Sequence, residues 1–366
     1  MADKNIGVVD KDLMVQTEFD TSDLDFFSPL KEPFTLYGIT PPTDTQDRYR
    51  RLPEDVVNAC NSKGLSWHGA NGSGARIKFR TNSKKVAIFV KLDKIGGLSH
   101  MPNTGVCGFD LYVDDLFFGN FIPPFSVRES GGYSSIQDVT EKIFDGEEVL
   151  ERELTIYFPL YCDILSITIG LEKGATLNKT IGYKNTLPIV FYGHSITQGG
   201  CVSHPGNSHS NILSRELNVD HYNFGFSGSA RGELEVCDYV CNREMCAFIY
   251  DYDHNSLPEE LRKRHKVFFD RFREKHPDVP AIIMPTTDCE PTKALRKERF
   301  DICYATYKSR LDMGDKNVYF IDSYKELRKR CGDFAFIERT GGHLNDIGFR
   351  ALADMIKEIL IKVVKF

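Results

Sequence analysis

Two patterns of apolar and polar positions divide the chain. From about residue 65 to 180, short apolar-rich runs at 75–79, 86–92 and 154–158 are separated by Gly, Asn and Asp turns, the signature of β-strands. The stretch Ile164 to Gly170 alternates apolar with polar or small residues, as a half-buried strand does. Phe109 to Val113 reads as a further strand that enters a turn at Asp114-Asp115. Together these predict an antiparallel β-sandwich of jelly-roll type. Residues 1 to about 50 are polar and carry Pro29, Pro33, Pro41 and Pro42, which predicts an extended lead that packs on its neighbours and forms no core of its own.

Beyond about residue 186 strand and helix signals alternate. Strands are expected at 189–193, 221–224, 246–251, 281–285 and 318–322, with helices near 208–218, 231–242, 257–276, 293–313 and 346–362. Parallel neighbours need crossover connections, so this order predicts an α/β unit with a doubly wound, five-stranded parallel sheet. The expected division is a sandwich domain over 1–183, with its lead, and an α/β domain over 184–366.

A chain of 366 residues agrees with two domains. A net charge of −6 without a long basic tract argues against nucleic acid or an anionic membrane as a partner. The cluster Arg262 to Lys266 falls on a predicted helix, where a solvated face accounts for it. No window approaches the length of a membrane span, and the polar start lacks the apolar core of a signal peptide, so a cytoplasmic location is expected. Ten cysteines without CxxC pairs fit reduced thiols and neither a disulfide scaffold nor a zinc site. Cys237, Cys241 and Cys246 read as buried apolar residues of one helix and the next strand.

The candidate chemistry gathers at strand ends. Ser195, in Tyr192-Gly193-His194-Ser195-Ile196-Thr197-Gln198-Gly199, follows an apolar run and sits where a strand's carboxyl end turns outward, the edge at which open α/β sheets bind ligands. A serine there can equally serve only to turn or cap the chain. The second strand is followed by Asn223-Phe224-Gly225-Phe226-Ser227-Gly228, a turn whose glycines let backbone N–H groups approach a ligand. The third precedes Asp251-Tyr252-Asp253-His254-Asn255, with an amide donor, and Gly341-Gly342-His343-Leu344-Asn345-Asp346 places a histidine ahead of the last helix. Acyl transfer through serine needs a nucleophile, a base and donors for the developing oxyanion, and these stretches offer one of each.

The four blocks, in this order, resemble those of the SGNH, or GDSL-like, hydrolases. Gly108-Phe109-Asp110-Leu111-Tyr112 and Phe158-Pro159-Leu160-Tyr161 resemble the GxDLY domain found ahead of one branch of that superfamily, and the stretches Gly193 to Asn207 and Gly225 to Glu233 look like the same branch. The resemblance implies Ser195 as nucleophile, His343 as base, and an oxyanion hole of the Ser195 and Gly228 N–H groups with the Asn255 side chain. It is not the GxSxG elbow of α/β-hydrolases, since position 197 is threonine. Three positions depart from the pattern. Thr340 stands where an orienting Asp is common, which leaves a Ser–His dyad with Thr340, Glu338 or a backbone carbonyl as orienter. His194 precedes the nucleophile where Asp or Ser is usual, either facing solvent or competing for Ser195, and Leu344 occupies a frequent Pro site. His194, His204 and Asp253 are expected at the pocket, with His204 at its mouth.

His204 and His209, with Asp251 or Asp253 and His254, lack compact metal-ligand spacing, so neither metal nor cofactor is expected. The two-domain resemblance points to a serine esterase that releases a short acyl group, acetyl above all, from a carbohydrate through a covalent acyl-enzyme. The competing readings are an acyltransferase to a small-molecule acceptor and a catalytically decayed ligand-binding protein. The expected partner is a small-molecule or oligosaccharide ester, with homo-oligomerisation left open.

Overall fold

The computed structural model describes residues 18–145, 148–285, 287, 292–337 and 342–366. In the first half, one antiparallel sheet runs in the order Leu24–Phe27, Asp163–Glu172, Lys85–Asp93, Gly132–Asp138. A second runs Leu177–Asn178, Arg76–Thr81, Arg152–Tyr157, Phe109–Val113, Leu116–Phe121, with Thr35–Tyr37 also paired to Arg76–Thr81. Alternate residues of both sheets, such as Ile77, Phe79 and Ile156 from one and Ile88, Val90 and Ile169 from the other, share one buried core. The lead does pack on the sandwich, and it does so by adding an edge strand to each sheet. Asp114 and Asp115 adopt φ of +50° and +62°, the paired left-handed conformation of a two-residue hairpin turn, and Val113 pairs with Leu116 across it.

The second half holds the parallel sheet, in the order Val219–Gly225, Asn185–Gly193, Ala247–Asp251, Ala281–Ile283, Val318–Phe320. The strand Asn185–Gly193, second in that order, is covered on both faces, which explains its unbroken apolar run. Ile189 and Phe191 face a core continuous with that of the sandwich, whereas Val190 and Tyr192 face a second core with Phe224, Tyr250 and Phe268. Helices His209–Leu217, Leu234–Cys241, Pro258–Lys275, Lys293–Asp312 and Asp346–Val363 fall where the sequence places them. Ser323–Cys331 is a further helix where no element is predicted; Leu327 anchors it, and its other residues are mostly charged. Glu54–Cys60 and Lys63–His68 are short helices that the sequence also leaves unmarked.

Cys237 and Cys241 are buried in helix Leu234–Cys241, and half-buried Cys246 precedes the strand Ala247–Asp251. Arg262, Lys263 and Arg264 are exposed, while His265 turns inward onto Thr306. Among the described residues no helix is long and apolar enough to cross a membrane. The parallel register sets Gly193 opposite Gly225 on one side and Asp251 on the other, so three strand ends finish level at one edge.

Candidate active site

Ser195 opens a one-turn helix, Ser195–Gln198, just after the strand Asn185–Gly193, and is only 7% exposed. The chain turns tightly here because Gly193 has no side chain: a Cβ would collide with Thr197 and the Asp251 carbonyl. His343 comes to this point from far along the sequence. Its Nε2 lies 3.0 Å from Ser195 Oγ. The Phe336–Leu344 bridge, the Ile337 N–H donating to the His343 carbonyl (3.0 Å) and the Thr287 hydroxyl donating to the Gly342 carbonyl (3.4 Å) hold its backbone. Asn345 then caps helix Asp346–Val363 by accepting the Gly348 N–H at 3.1 Å. Thr340 and Glu338 lie outside the described residues.

His194 neither faces solvent nor competes for Ser195. It is buried, with Nδ1 accepting the Ile196 N–H at 3.1 Å and Nε2 3.0 Å from Asp251 Oδ1. Asp251 Oδ2 also accepts the Thr197 hydroxyl at 3.1 Å. The histidine thus pins the Ser195 turn to the neighbouring strand. Burial lowers the His194 pKa, but Asp251 outweighs burial and leaves it above the ordinary histidine value. The hydrogen bond from Ile196 opposes protonation, since only the neutral ring has a lone pair at Nδ1.

The glycine-rich turn is held from several directions. The Ser227 N–H donates to Gln198 Oε1 (2.8 Å), and the Gln198 amide donates to Asn71 Oδ1 and the Leu160 carbonyl (both 3.0 Å). Buried Arg51 donates to the Asn223 and Gly225 carbonyls at 2.8 Å each and to the His68 carbonyl at 2.6 Å. Its guanidinium stands 5.0 Å over the Phe226 ring, and burial pushes its pKa down to about 9. Gly228 is exposed at φ +63°, a conformation that favours glycine. The Asn255 amide donates to the Phe226 carbonyl at 3.0 Å, which places the third block against the second. Arg51, Asn71 and Gln198 are supports that sequence reasoning missed, because the first two lie in a segment without periodicity.

Two further residues expected at the pocket have partners of their own. His204 Nδ1 lies 2.6 Å from Asp110 Oδ2 and its ring stacks on Phe117, so it joins the loop after Ser195 to the sandwich. Asp253 is buried and lines a separate cavity of about 350 Å³ with Lys293, Arg296 and Tyr324. His209 is likewise buried, against Phe191 and Phe349. Clusters of potential metal-ligand atoms among the described residues are instead His194–Asp251–Asp253 and His100–Cys201–His343. His100, from the loop after strand Lys85–Asp93, brings its ring to 5.3 Å from that of His343, a neighbour that no local pattern marks. Chemically, an imidazole lone pair within hydrogen-bond reach of a serine hydroxyl can take its proton as the oxygen attacks a carbonyl.

Residues 186–361 match the model of the GDSL-like lipase/acylhydrolase family, and residues 24–177 match the N-terminal domain model of SGNH-hydrolase-type esterases. A putative GDSL-like lipase from Bacteroides ovatus is 25% identical, with a TM-score of 0.76 over 94% of this chain and 99% of its own. A salicylyl-acyltransferase from a tetracycline biosynthetic pathway shares the fold at 17% identity and TM-score 0.73, over 94% of this chain and 100% of its own. A family two carbohydrate esterase from Clostridium thermocellum, solved with cellohexaose, shares it at 13% identity and TM-score 0.57, over 92% of this chain and 99% of its own. No curated protein matches the sequence. With both domain models matched in order and the serine and histidine of two distant blocks in contact, the chain belongs to the SGNH, or GDSL-like, hydrolases that carry an N-terminal GxDLY domain, and it is a carboxylic ester hydrolase.

Proposed function

We propose that the protein removes short acyl groups, acetyl first among them, from hydroxyl-rich substrates such as carbohydrates, through an acyl-enzyme on Ser195. The observation that carries this reading is the 3.0 Å contact between Ser195 Oγ and His343 Nε2 at the edge where the Gly228 turn and Asn255 meet. His343 takes the hydroxyl proton during attack and returns it to the leaving alcohol, then activates the water that frees the acyl group. The Ser195 and Gly228 N–H groups and the Asn255 amide stabilise the oxyanion. Two features favour a small acyl group on a polar alcohol. Ser195 is almost buried, and the cavity of about 780 Å³ that meets the proposed site at Gly228, without touching Ser195, His343 or Asn255, is walled by charged Arg231, Glu233, Glu235, Lys263 and Arg264 beside apolar Leu234 and Val267, so it bears on the alcohol and not on the acyl group.

The test is hydrolysis of 4-nitrophenyl acetate, butyrate and octanoate by wild type, Ser195→Ala and His343→Ala in the presence of chelator. Fast acetate turnover that is lost in both variants supports the proposal. Equal or better turnover of octanoate overturns the short-acyl part, and undiminished turnover in Ser195→Ala overturns the mechanism. Adding an acceptor alcohol and analysing products separates hydrolysis from transfer of the same acyl group.

A further inference from the structure

His100, Cys201 and His343 present one ligand atom each, and these atoms all lie within 4.8 Å of one another. They come from three separate parts of the chain: a sandwich loop, the turn after the nucleophile, and the segment before the last helix. His100 sits in a turn closed by the Met101 N–H donating to the Leu98 carbonyl at 2.9 Å. Cys201 is buried and has φ +80°, in the left-handed region that non-glycine residues enter at a cost of about 1–3 kcal/mol. The fold therefore holds a thiol beside two imidazoles in a backbone conformation that favours glycine.

From this juxtaposition we infer that His100, Cys201 and His343 form a site for a soft divalent cation, zinc above all, whose occupation switches the esterase off. Two imidazoles and a thiolate form a three-ligand set suited to zinc, with a fourth position left for water. Tetrahedral zinc with bonds of about 2.0–2.3 Å sets its ligand atoms roughly 3.3–3.6 Å apart, so side-chain adjustments of about 1 Å close the site. The half-buried histidines give the ion a path from solvent, while Cys201 forms the buried floor. Binding converts the Cys201 thiol to thiolate and releases its proton, so the ion is held more tightly as pH rises.

Inhibition follows whichever nitrogen of His343 the metal takes. A neutral imidazole has one lone pair. If zinc occupies Nε2, the lone pair facing Ser195 is gone; if it occupies Nδ1, the ring proton must sit on Nε2, and that atom can no longer accept the serine proton. The inhibition rests on His343 being the base; the binding itself does not.

The test is titration of the chelator-stripped protein with Co²⁺, followed by its sulfur-to-metal charge-transfer absorption and by competition with Zn²⁺. One equivalent should produce the absorption in wild type. Cys201→Ser should abolish it, and His100→Gln should weaken binding by at least about tenfold. In parallel, zinc inhibition of 4-nitrophenyl acetate turnover, measured as a ratio within each protein, should need at least about tenfold more zinc in His100→Gln, with circular dichroism confirming the fold. An absorption that persists in Cys201→Ser would place the metal elsewhere, as at Cys237 and Cys241, whose sulfurs are 3.7 Å apart, and would overturn the inference. So would the absence of binding up to millimolar metal. A cobalt spectrum without esterase turnover would retain the site and count against the proposed function; turnover without the spectrum would do the reverse.

Discussion

Asp110 Oδ2 accepts the backbone N–H of Gly206 at 2.6 Å, and the same oxygen lies 2.6 Å from His204 Nδ1. Asp110 is fully buried, with Asn120 donating to its other oxygen at 2.6 Å. The aspartate of the GxDLY word therefore joins the sandwich to the loop that follows Ser195. That loop is in turn tied to the last helix, since the Ser203 N–H donates to Asp346 Oδ1 at 2.8 Å and Asn207 donates to Asp346 Oδ2 at 3.2 Å. Asp346 lies three residues after His343, so the motif reaches that histidine through two loops.

Asp110→Ala should accordingly lower both stability and turnover. It leaves the Gly206 N–H, the His204 imidazole and the Asn120 amide without their acceptor, a loss of about 1–3 kcal/mol for a buried group left unsatisfied. Urea denaturation gives the first effect. The second should appear as a fall in kcat for 4-nitrophenyl acetate, because the loop bonded to Asp346, three residues after His343, loses its anchor on the sandwich. Unchanged stability would mean that the contact is dispensable.

Asn255→Ala tests the oxyanion assignment. Loss of one such donor typically lowers kcat about 10²- to 10³-fold. The amide also donates to the Phe226 carbonyl, so a stability loss of about 1 kcal/mol should accompany it. A variant with normal kcat would remove Asn255 from the site.

Gln198→Ala should act through position alone. It removes three hydrogen bonds that connect the nucleophile helix, Asn71 and the Ser227 N–H. A loss of about 2–3 kcal/mol is expected from the buried groups left unsatisfied, with kcat falling more than KM rises, because the turn bearing Gly228 shifts while the outer cavity walls remain. Equal changes in both constants would point to a binding role instead.

Where local periodicity or local chemistry decides a feature, the sequence was sufficient. The strand Asn185–Gly193 and helix Pro258–Lys275 follow from their apolar spacing, and the Asp114-Asp115 hairpin from its turn residues. Helix Ser323–Cys331 escaped because it is only nine residues long and buries a single leucine among charges, too few apolar positions to repeat a period. His194 was misjudged because its partner, Asp251, is set opposite only by the parallel register of two strands. Arg51 and His100 reach the site from the lead and a sandwich loop, and nothing in their own neighbourhoods marks a contact made so far along the chain. The Ser195–His343 contact lay within reach of sequence reasoning only through a resemblance of four ordered blocks.

Buried histidines should set the acid limit of stability. Burial lowers the pKa of His68 and His209 to about 4 and that of His265 to about 3, and it holds His221 well below the ordinary value of 6.5. A histidine whose folded pKa is depressed contributes stability that is complete above 6.5 and is lost as pH falls toward its folded value, because the unfolded chain takes up the proton first. Each adds a slope of up to roughly 1.4 kcal/mol per pH unit in that window. His194 has the opposite sign: its pKa is raised, so its contribution is present below 6.5 and fades as pH rises. Four groups against one give a net loss, and the thermal midpoint should fall steadily between about pH 6.5 and 4. His209→Phe isolates one term. The ring already packs edge-on to Phe191 and stacks on Phe349, so an aromatic replacement keeps those contacts and removes the proton acceptor. The difference in midpoint between variant and wild type should therefore move in the variant's favour as pH is lowered to about 5, and a difference independent of pH would show that His209 does not titrate on unfolding.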